Sequence, residues 1–245
     1  MIFATICIFA ASKRKTTESN IEDETMKIEI NPQESIRSEA FSMWMSSPQP
    51  MVTLVKTIDV NRLRKVSRKT GIKFTVLLCW CICKAASSIE EIYLLPVPGH
   101  LYRYDKLAVN VIVVNEKGGI NLCDVPYSED INQFNADYLE VTRLVAKTCK
   151  STSLEDSMII GTSALPHTDL DCIINQYSGR WNNPFLAWGK YRKGLFKTTL
   201  PISLQFHHAQ MDGMQACRFL NNLQHDINQL MKLERLCYYS SEHPP

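Results

Sequence analysis

Apolar and polar positions along this chain switch between two periods, and the switches mark out its elements. Met51 to Val60 (MVTLVKTIDV) is β-branched with partial alternation, which predicts a strand. Asp59 and Asn61 then lead into RLRKVSRKTG, where Leu63 and Val66 stand at helical spacing before Gly71. From Phe74 to Ile89 the chain is almost wholly apolar, with Phe74, Leu77, Leu78, Cys81 and Ala85 along one side. That composition predicts a deeply buried helix. Leu107 to Val114 carries β-branched residues on both parities, as a central strand covered on both faces does, and a Gly118-Gly119 turn follows. Ile131 to Lys150 predicts a long amphipathic helix that turns Phe134, Tyr138, Val141, Leu144 and Val145 inward. Met158 to Thr162 is a further short strand, and Leu200, Ile202, Leu204 and Phe206 alternate with Pro201, Ser203 and Gln205 in another. Met214 to Leu230 closes the fold as a helix with Cys217, Leu220, Leu223, Ile227 and Leu230 on its inner face. Helices and strands interleave, so the class is α/β.

No linker, repeat or low-complexity run interrupts residues 26–234, so one domain is expected there, with 235–245 as a tail. Residues 1–25 stand apart. Their apolar start, MIFATICIFAAS, is too short to span a bilayer, and its positive charges (Lys13, Arg14, Lys15) follow the apolar run where a signal peptide would place them before it. A charge-dense TTESNIEDE comes next, so this stretch reads as a disordered extension or as a start assigned too early, with Met26 the physical beginning. Twenty-seven Lys+Arg against twenty-five Asp+Glu leave a net +2, too little for a nucleic-acid partner. Nine cysteines make an odd set without a C-x-x-C pair, and most lie inside apolar runs. Reduced buried thiols look like this, which predicts a cytoplasmic protein with no structural metal.

The chemistry concentrates at the junction of the last strand and the last helix, Leu204-Gln-Phe-His-His-Ala-Gln-Met-Asp-Gly213. Strand parity puts His208 on the face of Ile202, Leu204 and Phe206. An apolar wall there favours the neutral ring that a general base needs near pH 7. Asp212 is a candidate N-cap for the helix, and Gly213 allows a tight turn. The competing reading is a histidine pair with a capping carboxylate and no chemistry.

Four islands weigh against that alternative. Phe206-His-His-Ala-Gln-Met-Asp-Gly213 resembles the signature of the chloramphenicol acetyltransferase family. Pro184-Phe-Leu-Ala-Trp-Gly-Lys-Tyr191 resembles its proline and Gly-Lys-Tyr segment, Thr162-Ser-Ala-Leu-Pro166 its Ser-Ala-x-Pro stretch, and Arg37-Ser-Glu-Ala-Phe41-Ser-Met-Trp44 the run that opens its fold. Dihydrolipoamide acyltransferases and peptide-synthetase condensation domains fit less well, the first lacking here a lipoyl domain and the second being about twice as long.

The resemblance implies a CoA-dependent acyltransferase fold, a mixed β-sheet flanked by helices, that moves an acetyl group from acetyl-CoA to a small hydroxyl acceptor without metal. It implies His208 as general base and Ser163 as donor to the oxyanion, with Asp212 and Arg37 as a paired support and His207 as framework. By the same resemblance Lys190 and Tyr191 meet coenzyme A, Trp44 lines the acceptor pocket, and the protein is a homotrimer with interfacial sites. It implies no membrane partner. Departures bear on the acceptor: His167 and Leu170-Asp171 replace aromatic and Phe-Thr positions, Gly118 to Cys123 lacks the usual aromatic, and Ala187 stands where a hydroxyl residue is common. Another small alcohol or an amine, or a catalytically silent binding homologue, is therefore the alternative function.

Overall fold

The structure, a computed structural model, describes residues 27–242. The expected extension at 1–25 lies outside them. The chain opens with β1 (Lys27–Ile30), a 3₁₀ turn at Pro32–Glu34 and α1 (Ser38–Met45). β2 (Met51–Asp59), α2 (Asn61–Thr70) and α3 (Phe74–Ser87) follow, then β3 (Leu94–Val97), β4 (His100–Tyr104), β5 (Lys106–Val114) and β6 (Ile120–Pro126). After α4 (Ile131–Thr148) come β7 (Ser157–Ala164), β8 (Phe185–Trp188), the short β9 (Arg192–Lys193), β10 (Thr198–His207) and α5 (Gly213–Glu242). Helix ends follow local chemistry. Gly71 closes α2 in the left-handed region at φ 77°, its N–H bonded to the Ser67 carbonyl, and the Asp130 side chain caps α4 by accepting the Asn132 N–H at 2.8 Å.

Seven strands form one mixed sheet in the order β2-β10-β8-β7-β5-β6, with β9 added beside β10. β10 runs antiparallel to both β2 and β8, β7 runs parallel to β8 and β5, and β6 returns antiparallel on β5. Helices α2 to α5 pack on one face, where Leu77, Ile82, Phe134, Phe219 and Leu223 meet Ile202, Leu204 and Phe206 in a single core. A second, three-stranded antiparallel sheet, β1-β4-β3, carries α1 and its own small apolar cluster of Phe41, Leu101 and Ala209. That cluster braces the loop after β10.

The mixed α/β architecture predicted from the sequence is the one observed, with differences that have physical causes. Ser203 and Gln205, the polar positions of the β10 alternation, are both buried. Segment 165–184, which has no regular structure, lies across them: the Ile173 N–H donates to Ser203 Oγ at 2.9 Å, and Gln205 Nε2 donates to the Asn175 carbonyl at 2.7 Å. α3 buries its whole circumference from Val76 to Cys83, because sheet and helices surround it. Its thiols are accordingly pushed up, Cys79 to about 12, by loss of solvation. Leu144 and Cys217, expected inward, are exposed, since each stands at the edge of its helix's apolar stripe. The small sheet, β6 and β8 had no legible alternation.

Candidate active site

β10 ends at His207, and the chain turns before α5 begins. The His208 N–H donates to the Pro50 carbonyl at 2.9 Å, and the Gln210 N–H returns to the His207 carbonyl at 2.9 Å. What fixes this turn is Arg37, a buried side chain arriving from just before α1. Its Nη1 and Nη2 each donate to a carboxylate oxygen of Asp212 at 2.9 Å. Nη2 also donates to the His208 carbonyl at 2.8 Å, and Nε to the Ala209 carbonyl at 3.2 Å. One guanidinium therefore spans the whole loop from His208 to Asp212, using the fixed fork that a lysine lacks. Those bonds hold the Asp212 carboxyl below the usual carboxylate range, against an opposing contribution from partial burial.

Asp212 stands at the N-cap position of α5, where its N–H donates to Gln215 Oε1 at 3.2 Å, but its carboxylate is committed to Arg37 and not to the helix. Nor does Gly213 adopt a left-handed conformation. The His208 ring stacks on Trp44, centroids 4.3 Å apart and planes within 9°, with Phe206 at its edge. Trp44, expected to line an acceptor pocket, thus lies against the imidazole itself. His208 Nδ1 is 3.1 Å from Asp212 Oδ1. With Nδ1 turned to that carboxylate, Nε2 is the nitrogen on the far side of the ring. His207 is different. It is buried, its Nδ1 accepts the Ala209 N–H at 3.1 Å, and burial followed by the neighbouring His208 pulls its pKa down to about 4. Tyr177 meets the His207 ring edge-on, a contact that no sequence signal announced.

Ser163 is elsewhere. Register pairs it with Ala187 on β8, and Ala187 with Ser203 on β10. His208 lies five residues beyond Ser203 along the strand direction, about 17 Å, and two strands across, about 10 Å, at ordinary strand spacings. No side-chain rotation closes such a gap within one chain. Lys190 and Tyr191 lie at the Ser163 end, where Tyr191 packs on Phe74 at 5.2 Å between ring centroids. The Lys190 N–H donates to the Thr168 carbonyl at 2.8 Å, and that approach requires Gly189, whose added Cβ would fall 2.7 Å from the same oxygen. Ala187 is buried beside Ser163. The predicted residues therefore divide into two groups at opposite ends of the sheet: Arg37, Trp44, His208 and Asp212 at one, Ser163, Lys190 and Tyr191 at the other. No group of three or more metal-ligating side chains occurs among the described residues.

The sequence and fold comparisons both lead to acyltransferases. The sequence matches the chloramphenicol acetyltransferase family over residues 25–224, and the chain belongs to that family. It is 26% identical over 203 residues to chloramphenicol acetyltransferase 3 of Escherichia coli, covering 80% of this chain and 95% of that one. A chloramphenicol acetyltransferase of Clostridium perfringens is 24% identical over 198 residues, covering 78% of this chain and 94% of the relative. Among solved structures, a chloramphenicol acetyltransferase superposes with a TM-score of 0.71 at 20% identity, covering 82% of this chain and all of the other. A dihydrolipoamide acetyltransferase of Azotobacter vinelandii reaches a TM-score of 0.57 at 17% identity, over 79% of this chain and 86% of its own.

Proposed function

We propose that the protein transfers the acetyl group of acetyl-CoA to a hydroxyl of a small acceptor, with chloramphenicol the first acceptor to test and antibiotic inactivation the consequence. The observation that carries this reading is the Arg37 fork, which fixes both ends of the His208–Asp212 loop and leaves Nε2 as the free nitrogen of a ring held by Trp44. Nε2 takes the acceptor's hydroxyl proton as its oxygen attacks the thioester carbonyl. A C–O bond forms, and the carbonyl becomes an oxyanion. The Ser163 hydroxyl donates to that oxyanion. Collapse breaks the C–S bond, and the CoA thiolate leaves with the proton held on Nε2. No side chain is acylated and no metal takes part.

The separation of Ser163 from His208 supports assembly of each site between two copies, in a homotrimer where His208 of one chain faces Ser163 of the next. Lys190 and Tyr191, on the Ser163 side, meet coenzyme A. Residues 26–234 are the catalytic unit. Cys79, Cys81, Cys83, Cys123, Cys149, Cys172 and Cys217 are free thiols, in agreement with a reducing cytoplasm. Another small alcohol or an amine as acceptor draws on Ala187, which places a methyl group beside Ser163 where a hydroxyl is common in the family. The experiment is acetyl-CoA-dependent thiol release across chloramphenicol and a panel of hydroxylated and amino acceptors. Release with an acceptor, lost by ~10²-fold or more in kcat for His208→Ala, supports the reading. Release with no acceptor of the panel, or His208→Ala activity within about tenfold of wild type, removes it.

A further inference from the structure

The chain's modest net charge conceals a local excess. α2 carries Arg62, Arg64, Lys65, Arg68 and Lys69 with no carboxylate inside the helix, and Lys73 follows it. Leu63 and Val66 are buried, so the helix is anchored by its apolar side and turns Arg62, Lys65 and Arg68 to solvent. The start of α2 is tied to the base of the β9–β10 hairpin: the Val60 N–H donates to the Thr198 carbonyl at 2.8 Å, and Thr198 Oγ1 reaches Asn61 Oδ1 at 3.4 Å. That hairpin turns on a Gly194 N–H to Lys197 carbonyl bond of 2.8 Å. Its tip presents Leu195, 97% exposed, and Phe196, 90% exposed, between exposed Lys193 and Lys197. Arg192, below the tip, is spent on Asp169 and Asp171.

Two adjacent large apolar side chains at the apex of a turn add nothing to the core and cost hydration. Ringed by cations and joined to a basic helix, they match a surface that is anionic outside and apolar beneath. A bilayer receives such a tip without a preformed pocket, which a protein partner would have to supply. We infer that the β9–β10 tip and α2 form a peripheral docking surface for an anionic lipid bilayer. Leu195 and Phe196 enter the boundary between headgroups and acyl chains, and Arg62, Lys65, Arg68, Lys193 and Lys197 rest on anionic headgroups. Docking of this kind needs no spanning helix, and no described helix is long and apolar enough to cross a membrane. β10 starts beside the tip and ends at His207, so the tip stands about 30 Å from the His208 loop of its own chain, at the end of the sheet that carries Ser163, Lys190 and Tyr191. The inference stands independently of the transferase reading.

The test is flotation of the full chain with vesicles of phosphatidylcholine alone and of phosphatidylcholine with about 30 mol% phosphatidylglycerol. Binding is expected to the second only, and raising salt from about 0.05 to about 0.5 M should release it. The double variant L195S/F196S should lose at least about tenfold in partition, and the triple variant R62E/K65E/R68E should lose the preference for phosphatidylglycerol altogether. Unchanged circular dichroism and Tm for both variants certify the fold. Absence of flotation, or full flotation of L195S/F196S, overturns the inference. So does displacement from vesicles by duplex RNA or by saturating coenzyme A, since the cations would then serve a nucleic acid or the acetyl donor.

Discussion

Asp212→Asn and Arg37→Met offer a cycle whose asymmetry follows from the geometry. Arg37 makes four hydrogen bonds, two to Asp212 and one each to the His208 and Ala209 carbonyls, and it is buried while the Asp212 side chain is 48% exposed. Removing the carboxylate leaves the guanidinium with its two carbonyl acceptors and half of a fork. After a discount for solvent screening at the exposed carboxylate, the cost is about 1–2 kcal/mol. Removing Arg37 strips donors from two carbonyls and from the carboxylate together, and costs about 3–4 kcal/mol. Once Arg37 is gone, a half-exposed carboxylate stands comfortably in water, so adding Asp212→Asn should cost almost nothing. The double variant should therefore resemble Arg37→Met, with a coupling of about 1–2 kcal/mol. Denaturant unfolding of the four proteins at one protein concentration measures it, and kcat should fall about tenfold or more in each single variant while KM moves little. The pH dependence carries a sign. Asp212 titrates lower folded than unfolded, so its contribution is complete above a pH of ~4 and is lost as pH falls through the folded value; the gap between wild type and Asp212→Asn should narrow there. Additivity within about 0.5 kcal/mol would refute the pairing.

Two further outcomes follow from the same site. His207 is depressed from 6.5 to about 4 when folded, so its neutral form stabilises the protein above 6.5 and that contribution, at most about 3 kcal/mol, is lost as pH falls from 6.5 toward 4. His207→Asn, which can still accept the Ala209 N–H, should flatten the Tm profile in that window, and an unchanged slope would show that His207 does not titrate as placed. Ser163→Ala should cost about 2.7–4 kcal/mol of barrier through kcat, read from steady-state kinetics, whereas a pure rise in KM would make Ser163 a binding residue.

The long elements were legible because their periods are strong: Phe74 to Ser87 has almost no polar residue to confuse its burial, and the termini of α2 and α4 are marked by Gly71 and Asp130. The small sheet was not, since β1, β3 and β4 are short, and Ile28, Leu94 and Pro96 do not alternate with polar neighbours in any regular way. The Arg37–Asp212 pair was reachable only by resemblance, because 175 positions separate its members. A motif shows neighbours in sequence and not in space. The Asp212 carboxylate turns to Arg37 and not into α5, Trp44 stacks on His208, and Ser203 and Gln205 lie under a segment whose lack of periodicity hid it. Register did what sequence could not, by putting Ser163 and His208 at opposite ends of the sheet.

That separation makes the central claim testable in a single measurement. His208→Ala and Ser163→Ala are each prepared, and the two are unfolded together in equal amounts and refolded as mixed oligomers before acetyl-CoA-dependent thiol release is assayed with the accepted substrate. If His208 of one copy works with Ser163 of the next, random assembly restores both residues to about one quarter of the sites, and the mixture recovers about a quarter of wild-type activity from two nearly inactive parents. If the mixture stays at the level of its parents, no site combines His208 and Ser163 from different copies, and the account of this enzyme given by its geometry is wrong.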